Sequence, residues 1–267
     1  SLHDALPICE IYYNPTAATA AEMAVYNGYE FNNDDFEFIE VLNTGADPID
    51  LTGVEFTNGI KFTFGSNGGP LLPGQRAVVV SSLPGFLARY GTEFRGESIR
   101  IAGEYRGALA NSGEKLALTD RLGSPILSFS YDDTGSWPGR ADGTGASLVL
   151  IDPAAVPSTE PARTDYLEDG KNWRSSVEFG GSPAAAPAAR IVTIVVNEVL
   201  THTDLPQTDS IELYNTTSDA IDISGWYLSD SAGSLMKFRI PDNTILVSGA
   251  YRVFDEADFN PSGGVDP

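Results

Sequence analysis

An all-β fold is predicted by three features of the 267-residue sequence. Short stretches alternate apolar and polar residues: FEFIEVLN from Phe36, SIELYN from Ser210 and YRVFDE from Tyr251, the period expected of half-buried strands, and RAVVVSS from Arg76 reads as a further short strand. Turn chemistry separates them, as in NTGADP and NTTSDA, where Asn and Asp accept local hydrogen bonds and Gly45 can take positive φ. The third feature is that the chain repeats itself.

With Ile39 placed on Ile211, the pairs Glu40/Glu212, Asn43/Asn215, Thr44/Thr216, Asp47/Asp219, Ile49/Ile221, Asp50/Asp222 and Gly53/Gly225 are identical without a gap. Upstream, CEIYYNP at Cys9 aligns with NEVLTHT at Asn197, which matches Glu10 to Glu198. Downstream, LLPGQRAVVV from Leu71 aligns with ILVSGAYRVF from Ile245. Three collinear blocks mark an internal repeat.

In chain order, the first copy opens on a strand at Cys9. An insert follows, in which Ala17 to Val25 has the composition of a short helix. FEFIEVLN reads as a strand with an edge-like acidic face, and IDLTGVEF as its successor. Pro84 to Tyr90 (PGFLARY) is the other helical candidate. Leu116 and Leu118 of NSGEKLALTD should face inward, and Leu148 to Ile151 should form a buried strand after flexible glycines. Trp137 and Trp173 are large enough to plug a core. SPAAAPAA from Ser182 has the composition of a linker. Trp226 stands where the first copy has Val54 and is either a core residue or an exposed aromatic suited to carbohydrate stacking.

Residues 1–8, SLHDALPI, resemble the translation of a short-read sequencing adapter. That resemblance implies a fragment whose first eight residues make no core contacts and whose only cysteine, Cys9, arises at the junction. The second copy should then be truncated. Residues 191–267 should be marginal alone, with Ile211, Leu213 and Ile223 lacking much of an opposing sheet.

The order of motifs is more specific than the fold class. Glu-Ile near the start is followed by FIEVLN, IDLTG, LPG, LANSGEKLALTD, YDDTGSWP, ADGTGASL, NWRSS and GGSPAAAP. This order resembles the lamin tail domain. The resemblance implies an immunoglobulin-like β-sandwich in tandem, with the second copy incomplete. The expected organisation is an adapter-like segment at 1–8, a sandwich at 9–181, a linker at 182–190 and a truncated second domain at 191–267.

Composition narrows the function. A hydrophobic content of 42% suffices for a packed core, and no run approaches the ~18 apolar residues of a membrane span. The net charge of −21 repels phosphate backbones and argues against nucleic acid as a partner. One cysteine excludes an internal disulfide. With His3 in the adapter-like segment, only His202 remains for a histidine-based centre. Glu40 and Glu212 recur at equal repeat positions, which reads as structural; no catalytic residues are assigned and the chain is expected not to be an enzyme. Clustered loop carboxylates offer hard oxygens, with Asp34, Asp35, Asp132 and Asp133 the calcium candidates and Asp204 and Asp209 a lesser pair. Calcium is the one cofactor considered.

The resemblance to the lamin tail domain implies a non-catalytic structural or adhesion module of a large bacterial exported or cell-surface protein, facing a protein or surface polysaccharide. The same resemblance implies, as the alternative, an accessory domain of an exported enzyme, with a nuclease, phosphatase or spore-coat-kinase-like unit elsewhere in the parent. A calcium- or carbohydrate-binding module is the third reading.

Overall fold

The strand-forming runs CEIYY, FEFIEVLN and RAVVV build the centre of the first sheet. In the computed structural model, which describes residues 2–25, 29–66, 68–188, 193–201, 208–230 and 236–260, the chain divides into two units, Ser1–Ala188 and Ala189–Pro267.

The first unit contains β1 (Ile8–Tyr12), β2 (Phe38–Leu42), β3 (Glu55–Asn58), β4 (Phe62–Thr63), β5 (Arg76–Val80), a small hairpin of β6 (Glu93–Phe94) and β7 (Glu97–Ser98), β8 (Ile101–Glu104), β9 (Lys115–Thr119), β10 (Pro125–Ser130), β11 (Leu148–Leu150) and β12 (Trp173–Ser175). A six-stranded sheet in the order β12-β11-β1-β2-β5-β8 faces a four-stranded sheet in the order β10-β9-β3-β4. Among the described strands only β5 and β8 pair in parallel. The core lies between the layers: Ile8, Ile11, Ile39 and Val79 meet Phe56, Leu116, Leu118 and Phe129. Trp173 is buried, stacks 5.8 Å from Phe129 and 6.0 Å from Trp137, and its indole N–H donates to the Leu167 carbonyl at 2.8 Å.

The two expected helices form, α2 (Ala20–Val25) and α3 (Leu83–Tyr90), after a short α1 (Leu2–Ala5). Ser82 caps α3 by accepting from the Gly85 N–H, with Pro84 in its first turn. Phe86 and Tyr90 of α3 pack on Phe38, so the helix covers the outer face of the six-stranded sheet.

The second unit contains β13 (Ile194–Leu200), β14 (Ser210–Asn215), β15 (Ile221–Asp222), β16 (Tyr227–Leu228), β17 (Phe238–Arg239), β18 (Ile245–Leu246) and β19 (Tyr251–Asp255). Its main sheet runs β13-β14-β19, the arrangement of β1-β2-β5. The likeness extends to single residues. Glu10 opposes Glu40 and Ile11 opposes Ile39, while Glu198 opposes Glu212 and Val199 opposes Ile211. Both first strands carry a register shift at the same place, at Cys9 and at Asn197. Fully buried Asn43 donates to the carbonyls of Asp47 and Leu71 at 2.9 and 2.8 Å, and Asn215 donates to those of Asp219 and Leu246 at 2.8 and 2.9 Å. Gly53 and Gly225 both have positive φ, 78° and 74°, in a turn whose amide bonds to the Phe64 or Ile240 carbonyl.

Several expectations change. Residues 1–8 do make core contacts: Ala5, Leu6 and Ile8 are buried in the main cluster. Thr44 N–H donates to the Ala5 carbonyl as Thr216 N–H donates to that of Thr193, so this segment takes the place that residues from 193 onward take in the second unit. The downstream alignment of Leu71 with Ile245 is one residue out. Ile39 opposes Val79 and Ile211 opposes Phe254, which puts Leu71 on Leu246 and Gly74 on Gly249. Strand β2 is central rather than edge-like, flanked by β1 and β5 and buried at every position, Glu40 included. The Pro/Ala stretch from Ser182 is not a free linker, since Ser182 and Ala185 are buried on the first unit. In the second unit Leu213 and Ile223 are buried, with Ile240, Leu246 and Phe254, in a small core of their own. Trp226 is half-buried against that core.

Candidate functional site

The most chemically unusual place in the first unit lies on the outer face of the six-stranded sheet. Strand alternation puts Ile11, Ile39 and Val79 inward, so Glu10, Glu40 and Val78 point the other way. The register shift at Cys9 brings its side chain to the same face. Its thiol lies 3.2 Å from Glu40 Oε1. Cys9, Glu10 and Glu40 are all buried.

Two carboxylates out of water need partners, and the chain supplies them from distant segments. Arg76 on β5 reaches Glu40 Oε1 at 2.6 Å. Ser147, just before β11, donates its hydroxyl to Glu10 Oε1 at 2.6 Å. The remaining donors come from a strap at 178–188 that crosses the sheet. Ser182 gives its N–H to Glu10 Oε1 at 2.6 Å and its hydroxyl to Oε2 at 2.7 Å. The Ala184 N–H binds Glu40 Oε2 at 2.5 Å.

Gly181 permits this approach. It has φ of 90°, and a β-carbon there would sit 2.6 Å from Glu10 Oε1. The strap is also tied at its flanks. Tyr90 donates its hydroxyl to the Gly180 carbonyl, and Arg95 pairs with Glu178 at 2.7 Å.

Electrostatics follow from this burial. Desolvation, then repulsion from Glu40, pushes Glu10 up to about 7 against the hydrogen bonds it accepts. Glu40 is also raised by burial, opposed chiefly by Arg76. Burial pushes the Cys9 thiol well up, with Glu40 adding to the effect, the reverse of what a nucleophile needs. A further carboxylate, Glu37, accepts from Tyr105 and the Leu109 amide at 2.6 and 3.0 Å and is pushed by burial up to about 8. Both carboxylates of the Glu10–Glu40 pair are spent on holding chain segments together. The arrangement is suited to clamping a peptide rather than to turnover.

The calcium candidates fall in two turns. Asp35 closes a capping box with Asn32 around the 3₁₀ turn Asn33–Phe36, which also contains Asp34. Asp132 accepts from the amides of Asp133 and Thr134, both at 2.8 Å, and from the Thr134 hydroxyl at 2.7 Å, which holds it below its ordinary value. Among the described residues no group of three or more His, Cys, Asp or Glu side chains is placed to hold a metal ion. His202 and Asp204 lie outside the described residues. No helix among the described residues is long and apolar enough to cross a membrane.

The clamp is only partly legible in the sequence. Glu10 and Glu40 carried a signal, since both recur in the repeat within otherwise apolar strands. Arg76 carried none, because Tyr251 takes its place in the second copy, and Ser182 sits in a stretch with the composition of a linker.

Comparison with known families places a lamin tail domain at residues 187–264, which covers the second unit. This family is a non-catalytic immunoglobulin-like fold, in keeping with the all-β architecture. No curated protein and no solved structure matches the chain.

Proposed function

We propose that the chain, with its lamin tail domain at 187–264, is a tandem pair of such domains serving as a structural and protein-interaction module of a bacterial exported or cell-surface protein. The observation that supports the pairing is the shared strand register, with its shift at Cys9 and Asn197 and its buried Asn43 and Asn215. The non-catalytic reading rests on the use of the buried acids: Glu10 and Glu40 are consumed by structural hydrogen bonds and shielded from substrate by the strap. The acidic net charge of −21 suits an exposed, soluble surface.

External protease added to intact cells of the source bacterium tests location. Loss of the protein, with a cytoplasmic marker spared, is the expected result; protection until lysis would overturn the exported assignment. Hydrolysis of a phosphodiester or phosphomonoester by the purified chain, abolished by a single substitution, would overturn the non-catalytic one.

A further inference from the structure

In the first unit, the pair formed by Glu10 and Glu40 is a receptor for a crossing peptide. It accepts the amides of Ser182 and Ala184, two residues apart, and the Ser182 hydroxyl. The second unit has the same pair in the same register, Glu198 opposite Glu212 with Val253 beyond, as Glu10 opposes Glu40 with Val78 beyond. Glu212 is already steered. Asn197 donates to its Oε1 at 2.7 Å, as the Cys9 thiol approaches Glu40 Oε1.

The two faces differ in cover. Val78 and Tyr12 are fully buried, whereas their counterparts Val253 and Leu200 are 47% and 40% exposed. Glu198 is exposed and Glu212 half-buried. The second unit thus presents two carboxylates at strand spacing beside exposed apolar side chains, on a face whose twin is occupied.

We propose that the outer face of β13-β14-β19 binds an extended Gly-Gly-Ser-Pro-Ala peptide segment, of the kind the first unit wraps over its own sheet. Glu198 would accept the serine amide and hydroxyl, and Glu212 the amide two residues later. Glycine before the serine lets the backbone come close, and proline and alanine lie against Leu200 and Val253. Such recognition takes its affinity from main-chain donors and its selectivity from small residues. The proposal deepens the reading of the chain as an interaction module and names the partner chemistry.

The test is titration of the full-length ¹⁵N-labelled protein with the peptide EFGGSPAAAPA, the sequence of 178–188. Saturable shifts confined to amides of β13, β14 and β19 are expected. The double variant Glu198→Gln/Glu212→Gln should bind roughly tenfold or more weakly, since amide-to-carboxylate bonds become amide-to-amide bonds. A peptide with N-methylated residues in place of the serine and the first alanine, the counterparts of Ser182 and Ala184, which removes both donors, should lose binding to the unaltered protein. That arm stands even if the double variant were to unfold. Three results would overturn the proposal: no shifts at millimolar peptide, shifts mapping to the first unit, or equal binding by the N-methylated peptide. None of these touches the location experiment, so failure here and failure of the broader reading are distinguishable.

Discussion

Arg76 and Glu40 meet where the acid has no access to water, so the guanidinium compensates a carboxylate that burial would otherwise leave charged and desolvated. Removing one member of a buried pair strands the other, at a cost of about 3–5 kcal/mol. Arg76→Ala should therefore lower the urea midpoint of the first unit by that equivalent, and Glu40→Gln on the same background should recover part of it. Acids also shape the pH response. An ordinary glutamate ionises near 4.5, but Glu10 keeps its proton to about 7 and Glu37 to about 8. Stability linked to their protonated forms is complete below about pH 4.5 and is lost as pH rises through about 7 and then about 8. Asp50, Asp120 and Asp132 are shifted down from 3.8 and act only below that window. The thermal midpoint of the first unit should thus rise as pH falls from 8 towards 5, and Glu10→Gln should flatten the lower part of the slope. A midpoint that falls over this range would refute the assignment.

The strap shows how one segment depends on a few contacts. Its composition is that of a linker, yet it is pinned by Glu10, Glu40, Tyr90 and Arg95. Gly181→Ala puts a methyl group against Glu10 and a non-glycine residue at φ of 90°, which should cost at least about 1 kcal/mol. Hydrogen exchange at the Ser182 and Ala184 amides is expected to speed up while the amides of β1 and β2 keep their protection. If the sheet amides lost protection equally, the strap would be part of the cooperative core rather than a separately released element. The buried amides of Asn43 and Asn215 play the complementary role. Each ties the turn after its central strand to the segment before the next one. Asn215→Ala should cost about 1–3 kcal/mol, since the buried Leu246 carbonyl and the partly buried Asp219 carbonyl lose their donor, and the loss should show in the second unit alone.

At the scale of the whole chain, the two units carry very different cores. The first packs two full layers, while the second relies on Leu213, Ile223, Ile240, Leu246 and Phe254, with Val196 and Val199 left largely exposed. Differential scanning calorimetry should therefore resolve two transitions, with the second unit melting first. A single transition with equal calorimetric and van't Hoff enthalpies would overturn this. Deletion of residues 1–7 is expected to lower the upper transition. It exposes the cavity of Leu6, worth about 1.5–3 kcal/mol, and removes the carbonyls that accept from Leu42 and Thr44. An unchanged midpoint would mean that those contacts contribute nothing, as expected of a foreign leader.

Local pattern determined much of this protein. The strands at Phe36, Arg76, Ser210 and Tyr251, the helix after Ser82 and the inward Leu116 and Leu118 all follow from periodicity and capping, which act over a few residues. The repeat was equally legible, because Glu40/Glu212 and Asn43/Asn215 are identities in sequence before they are contacts. Tertiary structure alone decided what the acids are for. Alternation says that Glu10 and Glu40 share a face, but not that β1 and β2 lie at the centre of a sheet or that a strap from Ser182 closes over them. The register of the block from Leu71 was decided by cross-strand pairing, which sets Val79 and Phe254 at the same place and so Leu71 against Leu246. Burial, charge pairing and register arise between segments far apart in the chain, and no short-range pattern encodes which segments will meet.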